Sequence, residues 1–203
     1  MIAAYNPFCE QAENFRKLRS QLMLSLMNEN RKTLSVVGMD SEAGCSFLAA
    51  NLSIVFAQLS ERTVLVDANL RKPRQHKLFN LEQRQGLSDL LAGRCGTETA
   101  TKIPGLNNLY VLPAGTPPPN PQELLSRPAF GDLLRDLARD FDIILIDTAA
   151  AAQYSDSLIV CAEAGKALLV VRKHQTRAKD FSILKKQLSA AKTVCVGAVL
   201  NEI

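Results

Sequence analysis

Residues 34–71 read LSVVGMDSEAGCSFLAANLSIVFAQLSERTVLVDANLR, and this stretch decides the fold. A short apolar run at 34–37 ends at a glycine and is followed by a polar loop. From Gly44 onward, apolar side chains recur at helical spacing, which predicts a helix. A second apolar run at 64–66 ends in Asp67. The order of strand, loop, helix and strand predicts a β-α-β unit.

The loop before this helix carries part of a phosphate-binding pattern. The complete P-loop, G-x-x-x-x-G-K-[ST], presents unpaired backbone N–H groups at a helix N-terminus, where the helix dipole also attracts anions. Here Gly44 and Ser46 occupy the second glycine position and the position of the magnesium-binding hydroxyl. Met39 replaces the first glycine, and Cys45 replaces the lysine. Taken alone, the loop leaves two interpretations open, a phosphate site or an ordinary strand-to-helix turn.

Composition places the chain among globular α/β domains. Its 203 residues suit one domain, 47% apolar residues can build a full core, and 22% charged residues argue against disorder. The net charge of +4 is a mild excess that fits phosphate ligands or an anionic membrane face. Trp is absent and aromatic residues make up 5% of the chain, so a nucleic-acid partner is not expected.

The cysteines and the hydropathy pattern bear on the compartment. The five cysteines form no C-x-x-C pair and no Cys/His cluster with zinc spacing. Their odd number and wide spacing predict reduced thiols and a cytoplasmic location. No uninterrupted apolar run reaches the roughly 18 residues of a membrane-spanning helix, so we expect any membrane role to come through a partner.

Further strands and helices follow the β-α-β unit. An apolar run at 141–147 ends in Asp147 and is typical of a strand buried on both faces of a parallel sheet. Similar runs occur at 167–171 and 194–200, and a shorter strand is predicted at 109–112. The predicted helices lie at 10–27, 86–93, about 128–139 and 178–191. This alternation predicts an α/β fold, a mostly parallel sheet covered by helices on both faces.

Polar residues follow three of the predicted strands. The loop at 38–46, Asp67 and Asp147 each come directly after an apolar run. In a parallel sheet the carboxyl ends of the strands share one edge, where ligands collect. Magnesium beside nucleotide phosphates is bound by a few hard oxygen ligands. The sequence therefore predicts a phosphate and magnesium site here, in preference to two acids that only cap the following turns.

Two charged segments have less specific interpretations. Glu13, Arg16 and Arg19 form a stripe on the N-terminal helix, which by itself is typical of a solvated helix face. Residues 70–77 read LRKPRQHK, and such basic runs are usually solvated too. Because this run directly follows the acid of the second strand, it would overhang the loop and reach phosphates or an acidic protein.

Several motifs together resemble those of the bacterial tyrosine kinases. VLVDANLRKP at 64–73 is similar to the second Walker-type motif of that family, and 141–148 is similar to its Walker B strand. The pattern E-x-x-R-x-x-R at 13–19 matches the family's oligomerisation motif, and LPAG at 112–115 and NPQELL at 120–125 add to the resemblance. It covers nearly the whole chain and is strongest for the EpsG-type branch. It implies the P-loop NTPase-like fold of the MinD/ParA class.

The resemblance implies ATP and Mg²⁺ as cofactors and a role for each motif. The loop that wraps the phosphates would comprise Asp40, Ser41, Glu42, Ala43, Gly44, Cys45, Ser46 and Phe47. Asn201 would face the adenine, and magnesium would be bound by Ser46, Asp67 and Asp147. In catalysis, Asp147 would hold magnesium, Asp67 would assist magnesium or accept the tyrosine proton, and Arg71 would contact phosphate or a neighbouring subunit. Glu13, Arg16 and Arg19 would join subunits into a ring.

Cys45 departs from the family pattern. A lysine at this position carries the charge that binds the β- and γ-phosphates. Its loss is expected to weaken ATP binding about 10- to 150-fold, the equivalent of one charge-assisted hydrogen bond, and to slow turnover more. Backbone N–H groups and magnesium would remain to bind the nucleotide. A basic residue such as Arg71, Lys72 or Arg74 is a candidate replacement for the lysine.

The expected phosphorylation sites also depart from the pattern. The family usually autophosphorylates a tyrosine-rich tail, whereas this chain has Tyr5, Tyr110 and Tyr154 and reaches Ile203 directly after the last predicted strand. Two explanations are open, that the tail is absent or that the substrate tyrosines lie elsewhere, and Tyr5 is the most mobile candidate. The abrupt start of the chain leaves open that it is one piece of a longer protein. Residues 148–150 read TAA where the family usually has TPP, with a smaller effect expected.

Two functions remain open from the sequence. The first is a cytoplasmic ATP-dependent protein-tyrosine autokinase that regulates exopolysaccharide chain length and export, held at the inner face of the membrane by a membrane-embedded chain-length determinant. The alternative is a degenerate P-loop pseudokinase that acts by ring assembly with that partner. A partitioning-type ATPase is less favoured, because it would more often keep the P-loop lysine. We assign 1–30 to an extension and oligomerisation helix and 31–203 to the nucleotide-binding core of a single domain.

Overall fold

The chain folds around one mostly parallel sheet. The computed structural model describes residues 1–26, 33–82 and 85–202. Within these ranges the sheet has seven strands in the order β3-β4-β2-β5-β1-β6-β7, and β3 is antiparallel to β4 while the other pairs are parallel. The strands are β1 (Thr33–Gly38), β2 (Thr63–Asp67), β3 (Thr101–Lys102), β4 (Leu109–Leu112), β5 (Ile143–Asp147), β6 (Lys166–Arg172) and β7 (Val194–Asn201).

Helices cover both faces of the sheet. Those of the first half of the chain are α1 (Ile2–Tyr5), α2 (Glu10–Leu26), α3 (Cys45–Ala57), α4 (Gln75–Leu78) and α5 (Leu87–Leu91). Those of the second half are α6 (Pro121–Leu125), α7 (Pro128–Asp140), α8 (Asp156–Ala164) and α9 (Ala178–Ala190). A short 3-10 helix spans Thr97–Thr99.

The central strands are buried because apolar cores lie on both sides of them. Leu65 of β2 and Leu145 of β5 pack into a core with α3. Their neighbours Val66 and Ile146 point to the opposite face and pack into a second core with α7. Successive side chains of a strand alternate between the two faces of a sheet. Near-continuous apolar strands are therefore the expected sequence of a sheet covered on both sides.

The predicted strands are confirmed to within two residues. The helices predicted from apolar spacing are confirmed as α2, α3, α5, α7 and α9, and residue 27 of the first lies outside the described residues. The sequence analysis did not identify α1, α4, α6 or α8. Three of these span only one turn, which is too short to show a helical period. The fourth, α8, has apolar residues on most sides and so no distinct stripe.

The N-terminal helices pack on α3. The ring of Phe15 meets that of Phe47 edge-on, with centroids 6.3 Å apart. The backbone N–H of Ala3 donates to Oδ1 of Asn51 at 3.0 Å. Residues 1–26 are thereby fixed beside the start of α3. The predicted boundary near residue 30 lies outside the described residues, and the division into extension and core stays a prediction.

Candidate nucleotide-binding site

The loop between β1 and α3 folds tightly over the end of β1. Gly44 directly precedes α3 and has a φ of 90°, a left-handed conformation that favours glycine. A Cβ on Gly44 would lie 2.4 Å from Nδ2 of Asn201, and a Cβ on Gly38 would lie 2.7 Å from Cβ of Ala43. The two glycines permit the turn that sets the N-terminus of α3 at the sheet edge. The first N–H groups of a helix lack intrahelical partners there and can bind an anion.

A cavity of about 390 Å³ lies over this loop. Seven of the eight predicted phosphate-wrapping residues line it, namely Asp40, Ser41, Glu42, Gly44, Cys45, Ser46 and Phe47. The other walls are Asn69, Arg74, Leu78, Thr148 and Ala150. Ala43 is fully buried and lies outside the lining. The structure thus brings the P-loop, the loop after β2 and the loop after β5 together around one cavity.

Asp147 is buried at the end of β5 with one oxygen open to a further ligand. Nε2 of Gln75 donates to its Oδ2 at 2.8 Å, while Oδ1 has no hydrogen-bond partner among the described residues. Burial raises the pKa of this carboxyl, and hydrogen bonds from Ser46 and Gln75 and the positive charge of Arg74 oppose that rise. Ser46 and Asp147 thus lie near each other at the sheet edge, and their predicted role as magnesium ligands stays a prediction.

Asp67 lies beside Asp147 in the register of β2 and β5 but is fully partnered. Its Oδ1 accepts from the backbone N–H of Asn69 at 3.2 Å. Its Oδ2 accepts from the backbone N–H groups of Arg74 at 3.0 Å and Gln75 at 2.9 Å. Burial, and then the charge of Asp147, raise the pKa of Asp67. Asp67 therefore holds the loop after β2, and its roles toward magnesium and the tyrosine proton stay predictions.

The two acids fit a divalent cation. Two adjacent buried carboxylates are costly without compensation, because burial in a low dielectric penalises each charge and the like charges repel. The described residues contain no group of three His, Cys, Asp or Glu side chains that would form a closed metal site. A protein site for Mg²⁺ does not require one, because Mg²⁺ is usually bound by one or two carboxylates plus the phosphates of a substrate.

Cys45 brings no charge to the cavity. Its Sγ would lie 2.8 Å from a Cβ on Gly38, so the thiol is turned back toward the end of β1. Burial raises the pKa of the Cys45 thiol, and the charge of Asp147 raises it further. The thiol therefore stays protonated at neutral pH, and it cannot provide the positive charge that a P-loop lysine brings to the phosphates.

Arg71 is bound within the chain. Its Nε and Nη2 donate to the two oxygens of Asp156 at 2.7 and 3.1 Å. Its guanidinium lies over the ring of Tyr154, 4.1 Å from the centroid. Asp156 is the first residue of α8 and is buried. The pair ties the loop after β2 to α8, and the predicted contact of Arg71 with phosphate or a neighbouring subunit stays a prediction.

Asn201 lies at the end of β7, next to the P-loop. Its Nδ2 donates to the carbonyl of Ala43 at 2.9 Å. It also lines an apolar groove of about 460 Å³ between α2, the start of α3 and β7, whose walls include Phe15, Phe47 and Leu200. The groove adjoins the P-loop through Gly44 and Phe47. The base of a nucleotide whose phosphates bind at the P-loop would lie in or near this groove. The contact of Asn201 with adenine stays a prediction.

The charged stripe on α2 is partly used to hold that helix in place. Arg16 pairs with Glu13 at 3.0 Å and also donates to the carbonyl of Pro7. Nη1 of Arg19 donates to the carbonyl of Val55 on α3 at 2.7 Å. Burial lowers the pKa of Arg19, and the charge of Arg16 lowers it further. Contacts within the chain thus occupy the charged groups of Arg16 and Arg19 at least in part. The role of the stripe in forming a ring stays a prediction.

Gln75 is the site residue that sequence reasoning missed. Its Nε2 donates both to Asp147 and, at 3.1 Å, to the carbonyl of Ser46. Its side-chain Oε1 is buried without a partner among the described residues. The available signal was its place in the basic run at 70–77, two residues after the motif at 64–73. A neutral amide in a basic run gives little indication of its role until the partner strand is known.

Sequence relatives of the chain are tyrosine-protein kinases. CapB of Staphylococcus aureus, assigned as a tyrosine-protein kinase, is 32% identical over 191 residues, which cover 94% of this chain and 84% of CapB. Tyrosine-protein kinase wzc of Salmonella typhi is 32% identical over 203 residues, which cover 100% of this chain and 28% of wzc. The chain thus spans little more than a quarter of the wzc relative. No protein-family model matches it.

Solved structures agree with these relatives. The kinase domain of the Escherichia coli tyrosine kinase ETK superposes with a TM-score of 0.95 at 31% identity, covering 100% of this chain and 79% of that domain. The chimerical protein CapA2B2 superposes with a TM-score of 0.93 at 30% identity, covering 100% and 89%. The cell-division ATPase MinD of Pyrococcus furiosus gives a TM-score of 0.72 at 26% identity, covering 85% and 72%.

The fold and the site define a P-loop domain of the MinD-like class, as the sequence predicted. Within that class the relatives are more specific. The chain belongs to the bacterial tyrosine-protein kinase family and has the fold of its kinase domain.

Proposed function

We propose that this chain is an ATP-dependent protein-tyrosine kinase domain that acts in exopolysaccharide or capsule synthesis. The observation that carries the proposal is the buried carboxylate of Asp147, which leaves one oxygen without a partner beside Ser46 and the P-loop cavity. This is the ligand chemistry of magnesium bound to a nucleotide. Membership of the tyrosine-kinase family favours a tyrosine hydroxyl as the acceptor of the phosphoryl group.

In this proposal each residue has a distinct task. The N–H groups at the start of α3 bind phosphate oxygens, and Ser46 and Asp147 hold magnesium. The ion neutralises charge on the transferred phosphoryl group. Gln75 keeps Asp147 oriented, and Asp67 keeps the loop after β2 in place. The assignment of Asp67 as acceptor of the tyrosine proton rests on the family resemblance.

The alternative is a pseudokinase, and the uncharged side chain of Cys45 at the lysine position favours it. A cavity without the lysine charge binds the β- and γ-phosphates less tightly and stabilises the transition state less. In that case the chain would act through assembly with its partner. The two hypotheses differ in phosphotyrosine formation, because a pseudokinase leaves its tyrosines unmodified in the presence of ATP and magnesium.

The proposed setting is the inner face of the cell membrane. A membrane-embedded chain-length determinant would hold the chain there, and copies of the chain would form a ring through the stripe of Glu13, Arg16 and Arg19. The support is the family resemblance together with the similarity to wzc and to the CapA2B2 chimera. None of the helices in the described ranges combines the length and the apolar character needed to cross a bilayer.

The first test is nucleotide binding by Asp147→Asn. Titration calorimetry with ATP and Mg²⁺ on the native chain should give measurable binding, and the variant should lose the magnesium-dependent part, a drop of about 100-fold or more, because a magnesium carboxylate is removed. Asp132→Asn is the matched control, since Asp132 is an exposed acid of α7 paired with Arg135. Equal affinity of the native chain and Asp147→Asn would remove Asp147 from the site.

A kinase assay then separates the two functions. The native chain is incubated with ATP and Mg²⁺, and phosphotyrosine is detected on the chain and on a tyrosine-containing copolymer. Phosphotyrosine in the native chain that disappears in Asp147→Asn supports the kinase. Magnesium-dependent binding of ATP with no phosphotyrosine on either substrate supports the pseudokinase.

A further inference from the structure

The P-loop cavity lacks its usual cation at the lysine position. Cys45 occupies that position, and its half-buried side chain turns the thiol toward the end of β1. A nucleotide brings several negative charges to the β- and γ-phosphates, and one magnesium ion offsets only part of them. A chain that binds ATP through this loop would therefore bind it more tightly with a cation from another segment.

Most cations near the loop are committed elsewhere. Arg71 makes its two-point contact with Asp156. Arg172 pairs with Glu42 at 3.1 Å. Lys72 and Lys77 line a separate cavity of about 610 Å³ beside the basic loop and do not line the P-loop cavity. Arg74 is the cation that lines the P-loop cavity in the part of the chain that the structure describes.

Arg74 is held where it can face the phosphates. Its backbone N–H donates to Oδ2 of Asp67 at 3.0 Å, so the strand-end acid fixes the position from which the side chain extends. The next residue, Gln75, is tied to Asp147 and to the carbonyl of Ser46. The side chain of Arg74 forms no ion pair within residues 1–26, 33–82 and 85–202, so its guanidinium is available to a ligand.

The walls of the cavity place Arg74 in the same site. Ser46 at the start of α3 and Thr148, directly after Asp147, line the cavity together with Arg74. The Arg74 side chain thus shares one cavity with the residues proposed to bind phosphate and magnesium. Arginine suits the task because its planar group donates two parallel hydrogen bonds to phosphate oxygens.

We propose that Arg74 supplies the phosphate-binding charge that the P-loop lacks at Cys45. The inference rests on the proposed binding of ATP and names the residue that makes it possible. The lysine of a complete P-loop comes from the loop itself, whereas this charge comes from the loop after β2, which forms another part of the cavity lining.

The test is titration calorimetry with ATP and Mg²⁺ on the native chain and on Arg74→Ala. The variant should bind about 10- to 150-fold more weakly, which corresponds to one charge-assisted hydrogen bond. Lys72→Ala and Lys77→Ala are the matched controls. Each removes one positive charge from the same basic run at 70–77, and both lysines line the neighbouring cavity but not the P-loop cavity. Both controls should stay within about threefold of the native chain, as expected for a screened surface charge.

A rescue variant completes the test. Cys45→Lys added to Arg74→Ala returns a cation to the loop and should recover most of the lost affinity. The thermal midpoint of Arg74→Ala without nucleotide should match the native value, because the side chain forms no internal ion pair. A loss of affinity with an unchanged midpoint therefore reports a lost ligand contact and excludes unfolding as the cause.

The outcomes distinguish the role of Arg74 from the proposed binding of ATP, on which that role depends. Native affinity in Arg74→Ala, or an equal loss in Lys72→Ala, overturns the role of Arg74 and leaves ATP binding intact. No binding of ATP by the native chain overturns both. Weak binding by Arg74→Ala with rescue by Cys45→Lys supports the inference.

Discussion

The carboxyl ends of β2 and β5 carry the same residue in different surroundings. At β2, both oxygens of Asp67 accept backbone hydrogen bonds from the loop that follows, and Arg71 of that loop pairs with Asp156. At β5, Asp147 receives hydrogen bonds on one side and keeps a buried oxygen without a partner. The carboxylate at the end of β2 is fully occupied by hydrogen bonds that stabilise the fold. The carboxylate at the end of β5 leaves an acceptor oxygen for the magnesium that the proposed function requires.

The largest expected effect on stability is that of Asp67→Ala. Three backbone N–H groups lose their acceptor, and an unsatisfied buried donor costs about 1–3 kcal/mol. Relief of the repulsion from Asp147 offsets part of this. We expect the free energy of unfolding without nucleotide to fall by about 3 kcal/mol, measured by urea denaturation, with Asp132→Ala unchanged. A fall below about 1 kcal/mol would show that solvent replaces these hydrogen bonds.

A smaller loss is expected for Arg71→Ala. The buried Asp156 loses its bidentate partner, and a buried charge left unpaired costs several kcal/mol, reduced here because the Arg71 side chain is 29% exposed. We expect a fall of about 2 kcal/mol in urea denaturation. Arg74→Ala is the comparison within the same loop and should cost nothing measurable. An equal fall in the free energy of unfolding in both variants would contradict the division into a structural Arg71 and a ligand-facing Arg74.

The smallest effect is a gain from Asp147→Asn. The variant keeps an acceptor for Gln75 and removes one of two adjacent buried charges, so unfolding without nucleotide should require about 1 kcal/mol more at pH 7. This gain would accompany the loss of magnesium-dependent binding, a trade of function for stability. A destabilised variant would mean that Asp147 supports the fold in the way that Asp67 does.

The pH dependence of the same variant sharpens the comparison. Burial raises the pKa of both Asp67 and Asp147 above the ordinary value of 3.8. The folded chain therefore binds more protons than the unfolded chain above about pH 4, and the free energy of unfolding falls as pH rises through the raised values. In Asp147→Asn one contributor is missing, so urea denaturation from pH 5 to pH 8 should show a shallower fall. Parallel curves for the two proteins would contradict the assignment.

Local pattern was enough to predict the sheet and the strand ends that meet around the P-loop cavity. Apolar runs that end in an acid mark buried parallel strands and the edge where their carboxyl ends meet, so the P-loop, Asp67 and Asp147 were found without a structure. Even the partial P-loop pattern gained weight from this coincidence, because sheet topology brings separate strand ends together.

The side-chain partners were beyond the reach of the sequence. Arg71 and Asp156 are 85 residues apart, and Gln75 and Asp147 are 72 apart. Neither pair has a spacing that a helix or a hairpin would impose, so only the tertiary fold selects them. The same applies to the choice among Arg71, Lys72 and Arg74 as the cation of the cavity. Arg71 pairs with Asp156, Lys72 lines the adjacent cavity, and Arg74 lines the P-loop cavity. The sequence of the basic run does not distinguish these three surroundings.

Gln75 joins three separate parts of the molecule within a single residue. Its backbone N–H is bound to Asp67, and its side chain is bound to Asp147 and to the P-loop carbonyl of Ser46. A ligand that draws Asp147 away from this amide would loosen one end of the basic loop while the other contacts stay in place. Occupancy of the cavity would therefore bear on the contacts that anchor the start of α4 to the ends of β2 and β5.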